Sequence, residues 1–118
     1  VNFKDDKGMT ALMHAAKNGN LDFVVELIDR KGEEINVNLQ DKKGMTALMY
    51  AAERDDLDIV QYLLAFKDTD LTIRDFGRTA LDYTKDDGSS KVRNRIKRKL
   101  SDQLYIKRNR DKKKNTLN

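Results

Sequence analysis

The sequence contains no cysteine, no proline and no tryptophan. Without cysteine, disulfides, thiolate catalysis and cysteine-ligated zinc are excluded together. His14 is the only histidine, so a metal centre would have no second imidazole to use. Serine occurs only as Ser89, Ser90 and Ser101, all at an expected helix boundary, and no nucleophile–base–orienting group set accompanies them. Glycine-rich phosphate-binding loops are also missing. No apolar run reaches the ~18 residues needed to span a bilayer. No signal-peptide pattern is present, and the first residue is Val1, so the natural N-terminus is expected upstream. No catalytic residue, metal site or cofactor is expected.

What is present is charge. Charged residues make up 37% of the chain and apolar ones 38%, so any core must be thin. The formal net charge of +4 hides two opposite regions. Residues 1–90 hold 12 Lys/Arg against 18 Asp/Glu, or 12 − 18 = −6, and residues 91–118 hold 12 against 2, or +10. Asp55-Asp56 and Asp58 form an acidic cluster, but it lacks the glycine and distal glutamate of a calcium loop. It is read as the acidic start of a helix.

The strongest signal is internal repetition. Shifting the sequence by 36 lays residues 1–28 on residues 37–64 with 16 of 28 identities. The shared core is Gly-Met-Thr-Ala-Leu-Met-x-Ala-Ala, at 8–16 and 44–52, followed by Leu-Asp-x-Val-x-x-Leu at 21–27 and 57–63. A further shift of 33 reaches a worn third copy, Gly77-Arg78-Thr79-Ala80-Leu81-Asp82-Tyr83-Thr84-Lys85.

Each unit reads physically as a turn, a short helix, a tight reversal and a second helix. Thr10, Thr46 and Thr79 follow a glycine turn and stand where a hydroxyl can cap a helix. Leu12, Ala15 and Ala16 then share one helical face, and the alanines allow close approach of a neighbouring helix. Gly19, Asp55 and Gly88 occupy the reversal, where a left-handed residue is needed. Leu21, Val24, Leu27 and Ile28, and then Leu57, Val60, Leu63 and Leu64, form the apolar stripe of the second helix. Such a unit buries its apolar face only by stacking on its neighbours.

This pattern resembles the ankyrin repeat, a unit of about 33 residues, over roughly residues 1–100. The resemblance implies an all-α fold: an ankyrin-repeat solenoid of about three helix-turn-helix units (5–37, 41–72 and 74–100) with a basic C-terminal capping helix, in a domain over residues 1–106. Residues 107–118 have the composition of a frayed or disordered tail. Two departures stand out. The family's proline is Ala11, Ala47 and Ala80, and its histidine is Met13, Met49 and Asp82, so looser tips are expected. About three extra residues in 29–36 lengthen the first loop and should leave the register of the stack intact. In the third unit Val92 and Ile96 keep apolar positions, whereas Ser90, Arg93 and Lys97 replace outer ones, as in a terminal cap. Val92, Ile96, Leu100 and Leu104 recur every four residues, so the capping helix either extends past Leu100 or gives way to a new turn at Ser101-Asp102.

The resemblance also implies a function: a non-enzymatic protein-protein interaction scaffold, read as a monomer, that binds an unknown protein partner along turn tips and first helices. By position the tips are Asp6, Lys7 and Met9, then Lys42, Lys43 and Met45, then Phe76 and Arg78. The helix positions are His14, Lys17 and Asn18, then Tyr50, Glu53 and Arg54, then Tyr83 and Asp86. Met9 and Met45 either offer adaptable contact surface or fold back onto the neighbouring repeat. The alternative reading is polyanion binding, nucleic acid above all, by the basic segment from Lys91 onward. Tyr105 is the one aromatic there, which argues against base stacking, and a membrane surface is a weaker variant of the same idea.

Overall fold

The computed structural model describes residues 1–116, with side chains through Arg110. Five α-helices and one 3-10 turn account for the described architecture: α1 (Ala11–Asn18), α2 (Leu21–Lys31), α3 (Ala47–Glu53), α4 (Leu57–Ala65), the 3-10 turn Ala80–Tyr83, and α5 (Lys91–Thr116). The first helices form one layer, α1 on α3 and α3 on the 3-10 turn; the second helices form another, α2 on α4 and α4 on α5. This is the all-helical repeat stack that the sequence predicts.

Local chemistry explains the helix starts. Thr10 Oγ1 accepts from Met13 N at 3.3 Å and Thr46 Oγ1 from Met49 N at 3.2 Å, each satisfying one of the first amides of a helix. The return half of each cap comes from sulfur: Met13 Sδ accepts from Thr10 N at 3.5 Å and Met49 Sδ from Thr46 N at 3.4 Å. At the third start Asp82 takes both bonds on its carboxylate, accepting from Thr79 N at 2.8 Å and from the Thr79 hydroxyl at 3.2 Å, and these bonds depress its pKa. Substitution of the family's histidine therefore does not leave the cap open.

The reversals are left-handed at all three positions, Gly19 (φ 72°), Asp55 (φ 59°) and Gly88 (φ 82°). At Gly19 the left-handed φ sets the requirement, since an added Cβ would meet only the movable end of the Arg54 side chain.

The core runs between the two layers. Ala15, Ala16, Ala51 and Ala52 are buried and bring α1 and α3 together, while Ile59, Val60, Leu63 and Leu64 of α4 sit between α2 and α5. Full burial of one such aliphatic side chain is worth about 1.5–3 kcal/mol. Val92 and Ile96 of α5 are 1% and 0% exposed, so the cap residues picked out by register do close the stack.

The longer first loop is absorbed as expected. The helix α2 takes 11 residues against 9 in α4, and two asparagine bridges keep the units in step. Asn2 Nδ2 donates to Glu34 O (2.9 Å) and its Oδ1 accepts from Asn36 N (2.8 Å); Asn38 repeats the pattern with Asp68 O (2.7 Å) and Asp70 N (2.8 Å).

Two features differ from the sequence reading. The third unit's first helix shrinks to one 3-10 turn, because Thr84 and Lys85 stand where Ala51 and Ala52 stand in the second unit. A lysine cannot enter an alanine-sized gap, and the chain leaves helical geometry at Thr84 (φ −80°, ψ 157°). The second difference is the length of α5. It runs unbroken past Leu100 and Ser101-Asp102 to Thr116, so residues 107–116 continue the helix where the composition predicts a frayed tail; residues 117 and 118 lie outside the described residues. No glycine or proline interrupts 91–116, and once docking has nucleated the first turns each added residue propagates at little cost.

Candidate protein-binding face

The tips are built around one repeated aspartate. In the first unit Asp5 Oδ1 accepts from Lys7 N (3.0 Å) and Met9 N (2.9 Å), and Asp41 Oδ1 does the same with Lys43 N (3.0 Å) and Met45 N (2.9 Å). The other carboxylate oxygen reaches forward to the first helix. Asp5 Oδ2 lies 2.8 Å from His14 Nε2, Asp41 Oδ2 accepts from the Tyr50 hydroxyl, and Asp75 Oδ2 accepts from the Tyr83 hydroxyl. Each tip is thus tied to the helix behind it, and the looser tips expected from loss of the family's histidine are not what the hydrogen bonding shows. Neighbouring tips are joined as well, Lys42 N donating to Lys7 O at 3.1 Å.

Three of the groups in these ties titrate away from their ordinary values. The hydrogen bond from His14 holds Asp5 below the usual carboxylate range. Burial first, and the Asp75 hydrogen bond second, push Tyr83 up to about 12. The same two causes, with Asp41 as partner, raise Tyr50.

The third tip is one residue shorter. Asp75-Phe76-Gly77-Arg78 closes a two-residue reversal, with Asp75 N to Arg78 O at 2.8 Å and Arg78 N to Asp75 O at 2.9 Å. Both central residues are left-handed, Phe76 at φ 49° and Gly77 at φ 88°, the signature of a type I′ turn. Glycine and asparagine suit such positions; phenylalanine does not. Its ring is 89% exposed. Beside it Arg78 stacks over Tyr83, 5.0 Å from the ring centre, and Arg74 Nη1 donates to Gly77 O at 2.8 Å.

Of the residues singled out in the sequence, Asp6, Lys7, His14, Lys17, Asn18, Lys42, Lys43, Glu53, Arg54, Phe76, Arg78 and Asp86 are exposed, and Tyr83 is half-buried. Met9, Met45 and Tyr50 are not exposed tips at all: 4%, 6% and 6% of their surfaces remain open. Each methionine backbone is clamped by an aspartate, which turns the side chain inward, and Tyr50 is drawn in by Asp41. They form floors instead of edges. Two clefts follow from this, repeated along the stack. The first, about 280 Å³, has Met9 as floor and Tyr50 as wall; the second, about 290 Å³, uses Met45 and Tyr83. Asp86 turns away to pair with Arg93 at 3.4 Å, so it belongs to the junction with α5. Sequence reasoning missed the tip aspartates, whose signal is their fixed spacing of nine, nine and eight residues before His14, Tyr50 and Tyr83.

Other candidate chemistry is committed elsewhere. Asp56 caps α4 through Ile59 N (3.2 Å), and Asp55 accepts from Ser90, whose own hydroxyl oxygen caps α5 through Arg93 N (3.0 Å). Ser89 donates to Asp87. Among the described residues no three His, Cys, Asp or Glu side chains gather as metal ligands, and no helix is long and apolar enough to cross a membrane.

A helical repeat stack with an ordered row of tips and a shallow face beside it defines a repeat protein of the binding type. The model of ankyrin repeats in three copies matches residues 1–75 and 31–92, and the chain belongs to the ankyrin-repeat family. Among curated proteins none matches it significantly. Among solved structures 241 chains match, which is why the fold by itself names no partner. One of them comes from the complex of a predatory endopeptidase from Bdellovibrio bacteriovorus with an immunity protein, at 35% identity and a TM-score of 0.67 over 77% of this chain. The match spans 46% of that chain, so this sequence corresponds to less than half of its length. Family and relative together support a role in protein–protein interaction.

Proposed function

We infer that this chain is a non-enzymatic scaffold that holds a partner protein along its tips and the adjoining face of its first helices. Phe76 carries the reading. A large apolar ring held almost wholly in solvent, on a turn whose backbone conformation suits glycine or asparagine, gains nothing for the fold; it gains when a partner covers it, as aromatic anchors do in interfaces. Arg78 and Lys43 flank it as polar rim. The related complex pairs an endopeptidase with an immunity protein, so an enzyme is the first class of partner to try. Capture of a partner from the source cell by the tagged chain tests the surface. Phe76→Ala should abolish capture with the helical circular dichroism unchanged, and full capture by that variant would refute the assignment. In this reading the free chain is a monomer, which sedimentation velocity checks.

A second reading has its own observation. In α5 Lys91, Arg95, Lys97 and Arg98 are exposed, and none of them enters an ion pair among the described residues. Polyanion binding by this helix predicts retention of duplex or single-stranded nucleic acid that weakens steeply as salt rises; no retention at low salt removes it.

A further inference from the structure

We propose that the cleft between the first and second tips recognises an acidic segment of the partner protein, a carboxylate side chain next to an apolar one; this rests on the scaffold reading above. Four lysines surround the cleft, Lys7, Lys17, Lys42 and Lys43, over the floor made by Met9 and the wall made by Tyr50. None of the four takes part in an ion pair among the described residues. Two carboxylates also line the cleft. One, Asp41, is buried with both oxygens occupied by the Tyr50 hydroxyl and two backbone amides. Asp6 alone remains exposed, so four cations face one available anion.

This sign is opposite to that of the repeats as a whole, which carry −6 over residues 1–90. The difference arises from where the acids are placed. Asp22, Glu26 and Asp29 lie on α2, Asp58 on α4, and Glu33, Glu34, Asp68 and Asp70 in the loops beyond them, away from the tips. Lys17 is held over the cleft wall, its Nζ 5.8 Å from the centre of the Tyr50 ring. In the second cleft the lysine's equivalent is Glu53, which cancels the local excess, so the acidic segment is registered on the first cleft. Charge complementarity of this kind sets orientation and encounter rate, while a methionine floor beside an aromatic wall suits an apolar side chain of adaptable shape.

The test uses the full chain labelled with ¹³C at its methionine methyl groups, titrated with a synthetic peptide of one leucine flanked by glutamates. The Met9 methyl signal should shift saturably while Met13 and Met49 stay in place. Reversing two charges, Lys17→Glu with Lys42→Glu, should weaken binding about tenfold, the scale of a few exposed charge pairs lost and inverted. Lys42→Glu alone, on an exposed turn, gives the same direction should the double variant lose helix. The proposal falls if inorganic phosphate moves Met9 equally, if glycine in place of leucine leaves the shift intact, or if Arg95→Glu with Arg98→Glu in α5 abolishes binding while the lysine variants do not. The two readings separate cleanly. Failure here with loss of partner capture in Phe76→Ala removes only the acidic-segment inference, whereas capture that survives Phe76→Ala removes the tip surface itself.

Discussion

The first two tips and the third solve one problem with different parts. In units one and two an aspartate holds two backbone amides with one oxygen and a His14 or Tyr50 side chain with the other. In unit three the turn is a residue shorter, those amides are gone, and Asp75 Oδ1 is buried without a partner. The helix behind the tip shortens from α-helix to one 3-10 turn, and a phenylalanine takes a left-handed position. Local rules are kept twice and broken once. Buried unsatisfied oxygens and strained φ angles persist where the surroundings impose them, and they cluster where a protein meets a ligand. The comparison therefore separates a stable pair of repeats from a strained edge, and that edge is where the exposed ring stands.

The largest effect should come from the contact that holds the third unit in place. Ile96 is completely buried against the stack, and Ile96→Ala should cost about 2–5 kcal/mol in urea unfolding. If the third unit is the weaker part, amides of the 3-10 turn and of α5 will exchange first, with those of α1 and α3 still protected. Uniform loss of protection would erase the distinction between the regions.

Removing the two tyrosine hydroxyls compares the tips directly. Tyr50→Phe and Tyr83→Phe should each cost about 1–3 kcal/mol, because each leaves a buried carboxylate short of a donor. The larger cost belongs to Tyr83→Phe, since Asp41 keeps two backbone amides whereas Asp75 keeps only Arg78 Nη2 at 3.4 Å. Equal costs would mean that the amides contribute nothing. The same hydroxyls shape the alkaline limb. Tyr83 titrates near 12 when folded and near ~10 when unfolded, so between those values the unfolded chain binds fewer protons and stability falls with rising pH. Its contribution is complete below ~10 and gone above the folded value. Tyr83→Phe should flatten that limb in a pH series of melting temperatures.

Much of this was legible in the sequence, and the parts that were not share a cause. The threonine caps, the left-handed reversals at Gly19, Asp55 and Gly88, the alanine faces and the burial of Val92 and Ile96 all follow from local spacing. Side-chain destinations did not. For Met9 and Met45 the sequence leaves exposure and folding back both open, and it is the aspartate clamp four residues earlier that accompanies the inward course. Met13 and Met49 look like defects in a cap until their sulfurs are seen accepting from Thr10 and Thr46. The aspartate of the third tip stays hidden in the sequence because a shift of 33 aligns Gly77 correctly but sets Asp41 against Arg74; only a shift of 34 before the turn brings Asp75 into its place. Extension of α5 past Leu100 is one of the two courses that its apolar spacing allows; its reach beyond residue 106 is not legible, because charge composition speaks of solubility, while continuity depends on the absence of breakers.

The smallest expected stability change is the most informative about function. Phe76 holds φ 49° on a type I′ turn, and asparagine tolerates that region because its short side chain can bond locally. Phe76→Asn should therefore stabilise the chain by about 1 kcal/mol, through relief of a left-handed backbone cost, and the ring, exposed as it is, surrenders little packing. The same substitution removes the anchor and should abolish partner capture. A stability gain joined to a binding loss is hard to obtain from a residue kept for the fold, and it is the expected outcome for one kept for a partner. A variant that is less stable than the parent in thermal unfolding would place the Phe76 ring in the packing of the tip, and the strained edge would then be only a worn cap.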